Sequence, residues 1–241
     1  MNQNQMVLHC GGRVASYEEI CSVPLPEETD TYIPVSFGDI IKDTRLMADN
    51  FANQNGFEFK DGQYALAAKD QRMFAILQYI GDNENMGWAI GIRSSYDKSM
   101  SNGLAFGSKL FVCDNLSFKG KVTVMRKHTR NVKEDLQKEI LHLLFTESNN
   151  FHDIVKDREK MINIPMNDDK AYEFFGRMLG YRIITPRQVT KALNHWRNAP
   201  YEEFKERNMW SVYNSCTESL KSTPPQKVLE SHIKLHQAAI A

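Results

Sequence analysis

Apolar and polar residues alternate between Phe57 and Ile92, and the alternating segments are joined by connections too short to hold a helix. Phe57 and Phe59, then Tyr64, Leu66 and Ala68, then Phe74, Ile76, Gln78 and Ile80, then Trp88, Ile90 and Ile92 follow the period-two spacing that puts one set of side chains on one face of a strand. Asp61-Gly62, Lys69-Asp70 and Gly81-Asp82-Asn83 read as the turns between them. Parallel strands would need crossovers of roughly a dozen residues or more, so these segments are expected to run antiparallel, as a meander. After a polar turn at Ser94 to Ser101, Leu110 to Cys113 and Lys121 to Met125 supply the last strands, joined around Asn115 to Gly120.

Helical patterns flank this region. Ser16 with Glu19 forms an S-x-x-E capping box, which starts a brief helix ending near Cys21. Pro24, Pro26 and Pro34 enforce an extended connector. Ser36 then caps a helix in which Phe37, Ile40, Ile41, Met47, Ala48 and Phe51 share a face, closing near Asn55-Gly56. Beyond the strands, Asn131 caps a helix with Val132, Leu136, Ile140, Leu143 and Leu144 on one face, and the helical reading extends to about Ile162, before Pro165. Further helices are expected from Asp168 to Leu179 with Gly180 at C′, from Thr185-Pro186 through Trp196, from Phe204 to Lys221, and from Gln226 onward. The fold class is therefore α+β: an antiparallel meander sheet in the N-terminal half with a helical C-terminal half packed on it. Residues 1–130 form the mixed region and 131–241 the helical region, in one continuous domain.

Composition narrows the function classes. With 41% hydrophobic and 25% charged residues the chain can build an ordinary packed core. Its net charge of zero excludes a uniformly basic nucleic-acid coat or an acidic nucleic-acid mimic, so any electrostatic partner must be met by a local patch. The longest apolar runs fall short of the roughly 20 residues that cross a bilayer, and the first residues lack the pattern of a secretory signal. Cytoplasmic residence without membrane attachment is the expectation. Cys10, Cys21, Cys113 and Cys216 are scattered, with no metal-ligand spacing, and read as free packing thiols.

Several motifs in order carry a resemblance. Arg93-Ser94-Ser95-Tyr96-Asp97-Lys98-Ser99, Gly107, Phe111-Val112-Cys113-Asp114-Asn115, Arg126-Lys127-His128-Thr129 and Val212-Tyr213-Asn214-Ser215-Cys216-Thr217-Glu218 are similar to the motifs of a family of uncharacterised phage- and plasmid-encoded proteins, a domain of unknown function. Ser94 stands where that family more often has Asn. The resemblance implies a mobile-element context and no particular activity.

Between Lys119 and Lys138 the chain carries Lys119, Lys121, Arg126, Lys127, Arg130, Lys133 and Lys138 against only Glu134 and Asp135. Arg93, Lys98 and Lys109 join this patch if neighbouring strands pair as proposed. Cations interleaved with Tyr96, Phe106 and Phe118 are what a single-strand groove requires: charge tracks the phosphates and rings stack on bases. The bland alternative is a solvated face whose basic residues balance acids elsewhere. His128, at a strand-to-helix junction, has the place for an anion contact or an acid/base role, and Asp97 and Asp114 flank the same strands. These three residues are the ones a metal-dependent nuclease would use, although Asp is also a natural turn residue. No phosphate loop surrounds Gly103 and Gly107, and His232 and His236, four apart on one helix face, lack a third ligand at readable spacing. Trp196, Trp210 and Tyr213 read as packing aromatics.

The leading expectation is a phage- or plasmid-derived protein that binds nucleic acid, single-stranded DNA foremost, in annealing or as an accessory to replication or recombination. Arg93, Lys98, Lys109, Lys119, Lys121, Arg126, Lys127, His128, Arg130 and Lys133 would make the contacts, with no cofactor or metal and with self-association open to the protein. A second reading is a counter-defence protein that binds and inhibits a host enzyme. A third is the nuclease using Asp97, Asp114 and His128.

Overall fold

The computed structural model describes residues 12–81, 86–110, 116–118, 123–124, 135, 137, 138, 140–142, 144 and 151–241. The capping box at Ser16 closes: the Glu19 N–H donates to Ser16 Oγ at 3.2 Å and the Ser16 N–H donates to Glu19 Oε2 at 2.7 Å. It starts α1 (Tyr17–Ser22). Ser36 caps α2 (Phe37–Gln54), whose inward face carries Phe37, Ile40, Ile41, Ala48 and Ala52.

Among the described residues seven strands form one antiparallel sheet: β1 (Arg13–Ala15), β2 (Glu58–Ala67), β3 (Arg72–Ile80), β4 (Met86–Ser95), β5 (Gly103–Leu110), β6 (Leu116–Phe118) and β7 (Thr123–Val124). Their order is β1-β2-β3-β4-β5-β6, with β7 also paired to β5. The meander expected from the alternation is present, with three corrections. Asp61-Gly62 is no turn: Phe59 pairs with Tyr79 and Asp61 with Gln78, so Lys60 is the extra residue of a β-bulge inside β2. The bulge flips the phase, which is why the apolar positions move from Phe57 and Phe59 to Tyr64 and Leu66 without a break in the strand. Leu110 ends a strand that begins at Gly103, and β6 occupies part of the segment read as a connection around Asn115 to Gly120. Small residues at Gly103, Ala105 and Gly107 disguise β5 in the sequence, because half of its alternation has little side chain to show.

Both faces of the sheet are covered. Leu66, Met73, Ala75, Leu77, Tyr79, Trp88, Ile90, Ile92, Leu104 and Phe106 pack with the inward face of α2 and with Ile140 and Leu144. On the opposite face Ala65, Phe74, Ile76, Ala89 and Ala105 pack against Val228, Leu229 and Ile233. β3 is accordingly buried from Met73 through Tyr79.

The helical half comprises α3 (Phe151–Ile162), α4 (Asp168–Gly180), α5 (Pro186–Arg197), a 3₁₀ turn at Glu202–Phe204, α6 (Met209–Leu220) and α7 (Pro225–Ile240). Gly180 lies inside α4, and the left-handed residue after it is Arg182, with φ of 58°. The helix expected from Phe204 starts later because Asn208 caps it, its side chain accepting from the Ser211 N–H at 3.0 Å. α6 is buried on almost every side, although Ser, Asn and Thr are frequent in it. Its polar side chains turn back onto their own helix: Asn214 to the Trp210 carbonyl, Ser215 to Ser211, Thr217 to Asn214 and Ser219 to Cys216. α7 belongs to both cores, giving Leu229 and Ile233 to the sheet and Leu235 and Ala239 to the helices. Asn131 lies outside the described residues.

Glu218, near the end of α6, sits between Lys191 Nζ at 3.2 Å and Lys221 Nζ at 2.5 Å. Burial pushes its carboxyl up, but the hydrogen bond and charge of Lys221, with those of Lys191, outweigh this and hold it below the usual glutamate range. The stabilisation is thus complete at neutral pH and is lost as pH falls from the ordinary value of 4.5 through the lower folded value. Glu218→Gln is expected to flatten the acid limb of a stability-against-pH curve measured by urea unfolding. An unchanged acid limb would show that the carboxylate gains nothing from the two lysines.

Candidate nucleic-acid interface

One end of the sheet gathers the turns that matter. The β2–β3 turn holds Ala68, Lys69 and Asp70 with φ of 53°, 56° and 65°. Three consecutive left-handed residues without a glycine are costly, at roughly 1–2 kcal/mol each, and they persist because their surroundings fix them. Arg13 of β1 donates to both Asp70 oxygens at 3.2 Å, and the Tyr96 N–H donates to the Gln71 carbonyl at 2.8 Å.

The β4–β5 loop lies beside that turn, since Arg72 pairs with Ser95. Tyr96 is its anchor. The ring stacks on Phe37 at 3.7 Å, Tyr96 Oη accepts the Phe37 N–H at 3.0 Å, and Tyr32 Oη donates to the Tyr96 carbonyl. Burial, the first cause, pushes the Tyr96 hydroxyl up to about 12 against the opposing Phe37 hydrogen bond. Ser94, fully buried, donates to Asn102 Oδ1 at 2.6 Å, and Ser95 Oγ bridges to the Met100 carbonyl and N–H at 2.9 and 3.0 Å. The serines of the Arg93-to-Ser99 motif therefore shape the loop from inside.

The expected contact residues fall into four groups. Arg93 is only 5% exposed, and its two terminal nitrogens donate to Glu230 of α7 at 2.9 and 2.7 Å, which removes it from a solvent-facing cationic patch. The register explains this: Arg93 pairs with Gly103 and Phe74, on the face covered by α7. Lys98 is exposed, with φ of 59° and its ammonium 4.4 Å from the centre of the Tyr32 ring. The backbone of Lys109 pairs with Gly87 and Leu116. Lys119, Lys121, Arg126, Lys127, His128, Arg130 and Lys133 lie outside the described residues, as do Asp114 and Cys113. Lys138 is helical and exposed. Tyr96 and Phe106, expected as stacking platforms, are core residues at 5% and 1% exposure.

Asp97 is held by Arg72, whose Nε donates to Oδ2 at 2.6 Å, while Oδ1 accepts the Ser99 N–H at 3.0 Å. Burial pushes its carboxyl up, yet the hydrogen bonds from Ser99 and Arg72 prevail and keep it below the usual aspartate range. Among the described residues no group of three His, Cys, Asp or Glu side chains is placed to hold a metal ion. His232 and His236 are both buried, and His236 Nε2 lies 3.1 Å from Asp157 Oδ2, joining α7 to α3.

β7 runs antiparallel to β5, with Thr123 opposite Leu104 and Val124 opposite Gly103. The chain consequently leaves Val124 at the sheet end that carries the β2–β3 turn and the β4–β5 loop. Asp70 and Asp97 are both neutralised there by arginines, whereas Lys69 and Lys98 make no ion pair among the described residues.

A sheet covered on both faces by helices and continued by a helical half defines an α+β protein. The chain belongs to the family described as a domain of unknown function (DUF932), which it matches over residues 29–239. No curated protein and no solved structure matches it. Among the described residues no helix is long and apolar enough to cross a membrane.

Proposed function

We propose that this chain binds nucleic acid, single-stranded DNA foremost, through the cationic segment that follows β7, and that it serves annealing or recombination in a phage or plasmid context in the host cytoplasm. The observation that carries the reading is the direction of β7. It sends the chain, two residues before Arg126, toward a sheet end where both turn carboxylates are already paired with arginines. In sequence Arg126, Lys127, Arg130 and Lys133 follow β7 closely, and at this sheet end Lys69 and Lys98 make no ion pair among the described residues while Asp70 and Asp97 are held by arginines. Uncompensated charge of this kind draws a phosphate backbone and releases its counterions.

Arg126→Ala with Lys127→Ala is expected to weaken binding of labelled single-stranded DNA and to reduce the slope of log affinity against log salt by about 1.4, two contacts at about 0.7 each. An unchanged slope would refute the assignment. Absence of any affinity for oligonucleotides in the unaltered chain would turn the reading toward a host protein as partner.

A further inference from the structure

The helical half carries a second cationic surface, remote in sequence from the first. Between Glu173 and Glu202 the chain has no acidic residue, while it has Arg177, Arg182, Arg187, Lys191 and Arg197. These cations are spread too thinly to stand out by local density; the signal is the missing acid.

The fold converts that bias into a face. α4 and α5 are joined by residues 181–185, and Phe174, Phe175, Met178, Ile183, Ile184, Ala192 and Trp196 bury the inner sides of both helices and of the turn in one core. What is left outward on α5 is Arg187, Thr190, Lys191 and Asn194, at i, i+3, i+4 and i+7 on one side of the helix. Lys191 is engaged by Glu218. Arg177, Arg182 and Arg187 are exposed and make no ion pair among the described residues. Arg182 holds a left-handed backbone at φ of 58°, at the tip of the turn beside Tyr181, which is 60% exposed. The first turn of α5 has no acidic residue to offset its positive dipole end.

We propose that this face binds duplex DNA, with α5 laid along the major groove and Arg177 and Arg182 on the flanking phosphates. The occupant follows from shape and chemistry. A helix with its side chains is about 10–12 Å across, which the major groove of B-form DNA, about 12 Å wide, admits, and the face from Arg187 to Asn194 runs about 10 Å along it at about 1.5 Å per residue. The groove of A-form RNA is too deep and narrow for one. Arginine, threonine and asparagine supply the donors and acceptors that base edges and phosphates present. A single strand would instead call for several aromatic platforms, and this face offers only Tyr181. The surface is independent of the segment after β7, so an annealing protein would hold single strands on one surface and the duplex product on the other.

The test uses the full chain with labelled DNA duplex, single-stranded DNA and RNA duplex across a salt series. Arg182→Asn with Arg187→Gln removes two charges; asparagine tolerates the left-handed backbone at 182, and an unchanged thermal melt confirms that the fold is kept. The expected result is duplex DNA affinity reduced about tenfold or more, with a salt slope shallower by about 1 from the lost Arg182 phosphate contact, and single-strand affinity unaltered. Arg126→Ala with Lys127→Ala should give the reverse pattern, so the two surfaces fail separately. The proposal is overturned if the unaltered chain does not bind duplex DNA, if it binds RNA duplex equally well, or if the Arg182 and Arg187 variant binds duplex DNA as before.

Discussion

Trp88→Ala is expected to lower the unfolding free energy by about 3–5 kcal/mol, the range for deleting a large buried aromatic. Trp88 is 1% exposed near the start of β4, where its strand partners are Tyr79 and Ser108. Its ring lies 4.2 Å from Phe57 in a stacked arrangement, 5.4 Å from Phe106 edge-on and 5.9 Å from Phe51 of α2. Removing the indole takes a shared neighbour from α2, the start of β2 and β5 together, so no single element can move in to refill the space. Leu46→Ala, at a site 61% exposed on α2, should stay within about 0.5 kcal/mol and serves as the control. Urea unfolding of both variants decides the matter; equal midpoints would show that α2 and the sheet are not packed through Trp88.

The second large effect concerns the contact between the sheet and α7. Arg93 is almost inaccessible, whereas the Glu230 side chain retains 38% exposure, so the two ends of the ion pair respond differently to loss of the other. Glu230→Ala leaves a buried guanidinium without its carboxylate and should cost about 2–3 kcal/mol. Arg93→Met keeps an apolar stem in the same space and leaves a carboxylate that water can reach, so it should cost less, below about 1.5 kcal/mol. A double-mutant cycle should return a coupling of about 1.5–3 kcal/mol. Equal and small losses for both single variants would mean that the pair behaves as an ordinary surface bridge.

Local chemistry made much of the fold readable. The capping residues Ser16, Ser36 and Thr185 act within three residues of themselves, and each starts its helix where the pattern places it. The Asp61-Gly62 dipeptide misled for a physical reason: a bulge and a turn both interrupt alternation and both favour small or polar residues, and only the partner strand tells them apart. Arg93 misled similarly. It ends an alternating strand beside Lys98 and looks like part of a charged surface, but its pleat points to the face that α7 covers, and its carboxylate partner lies far along the chain. The candidate interface after β7 was visible as charge density, while the α5 face was not, because its cations become a surface only once the apolar side of α5 is buried.

Antiparallel strands from Phe57 onward, the helices that follow them and the starts of most of those helices can be read from the residues alone. These depend on periodicity, cap chemistry and connection length, all local properties. Coverage of both faces of the sheet comes instead from long-range packing. Alternation marks one apolar face, but Phe74, Ile76 and Ala89 on the other face found their partners in Val228, Leu229 and Ile233 near the far end of the chain. Tertiary structure likewise decided which cations meet solvent. Exposure belongs to the packed arrangement, so Arg93 turned inward to Glu230 while Arg182 and Arg187 stayed outside.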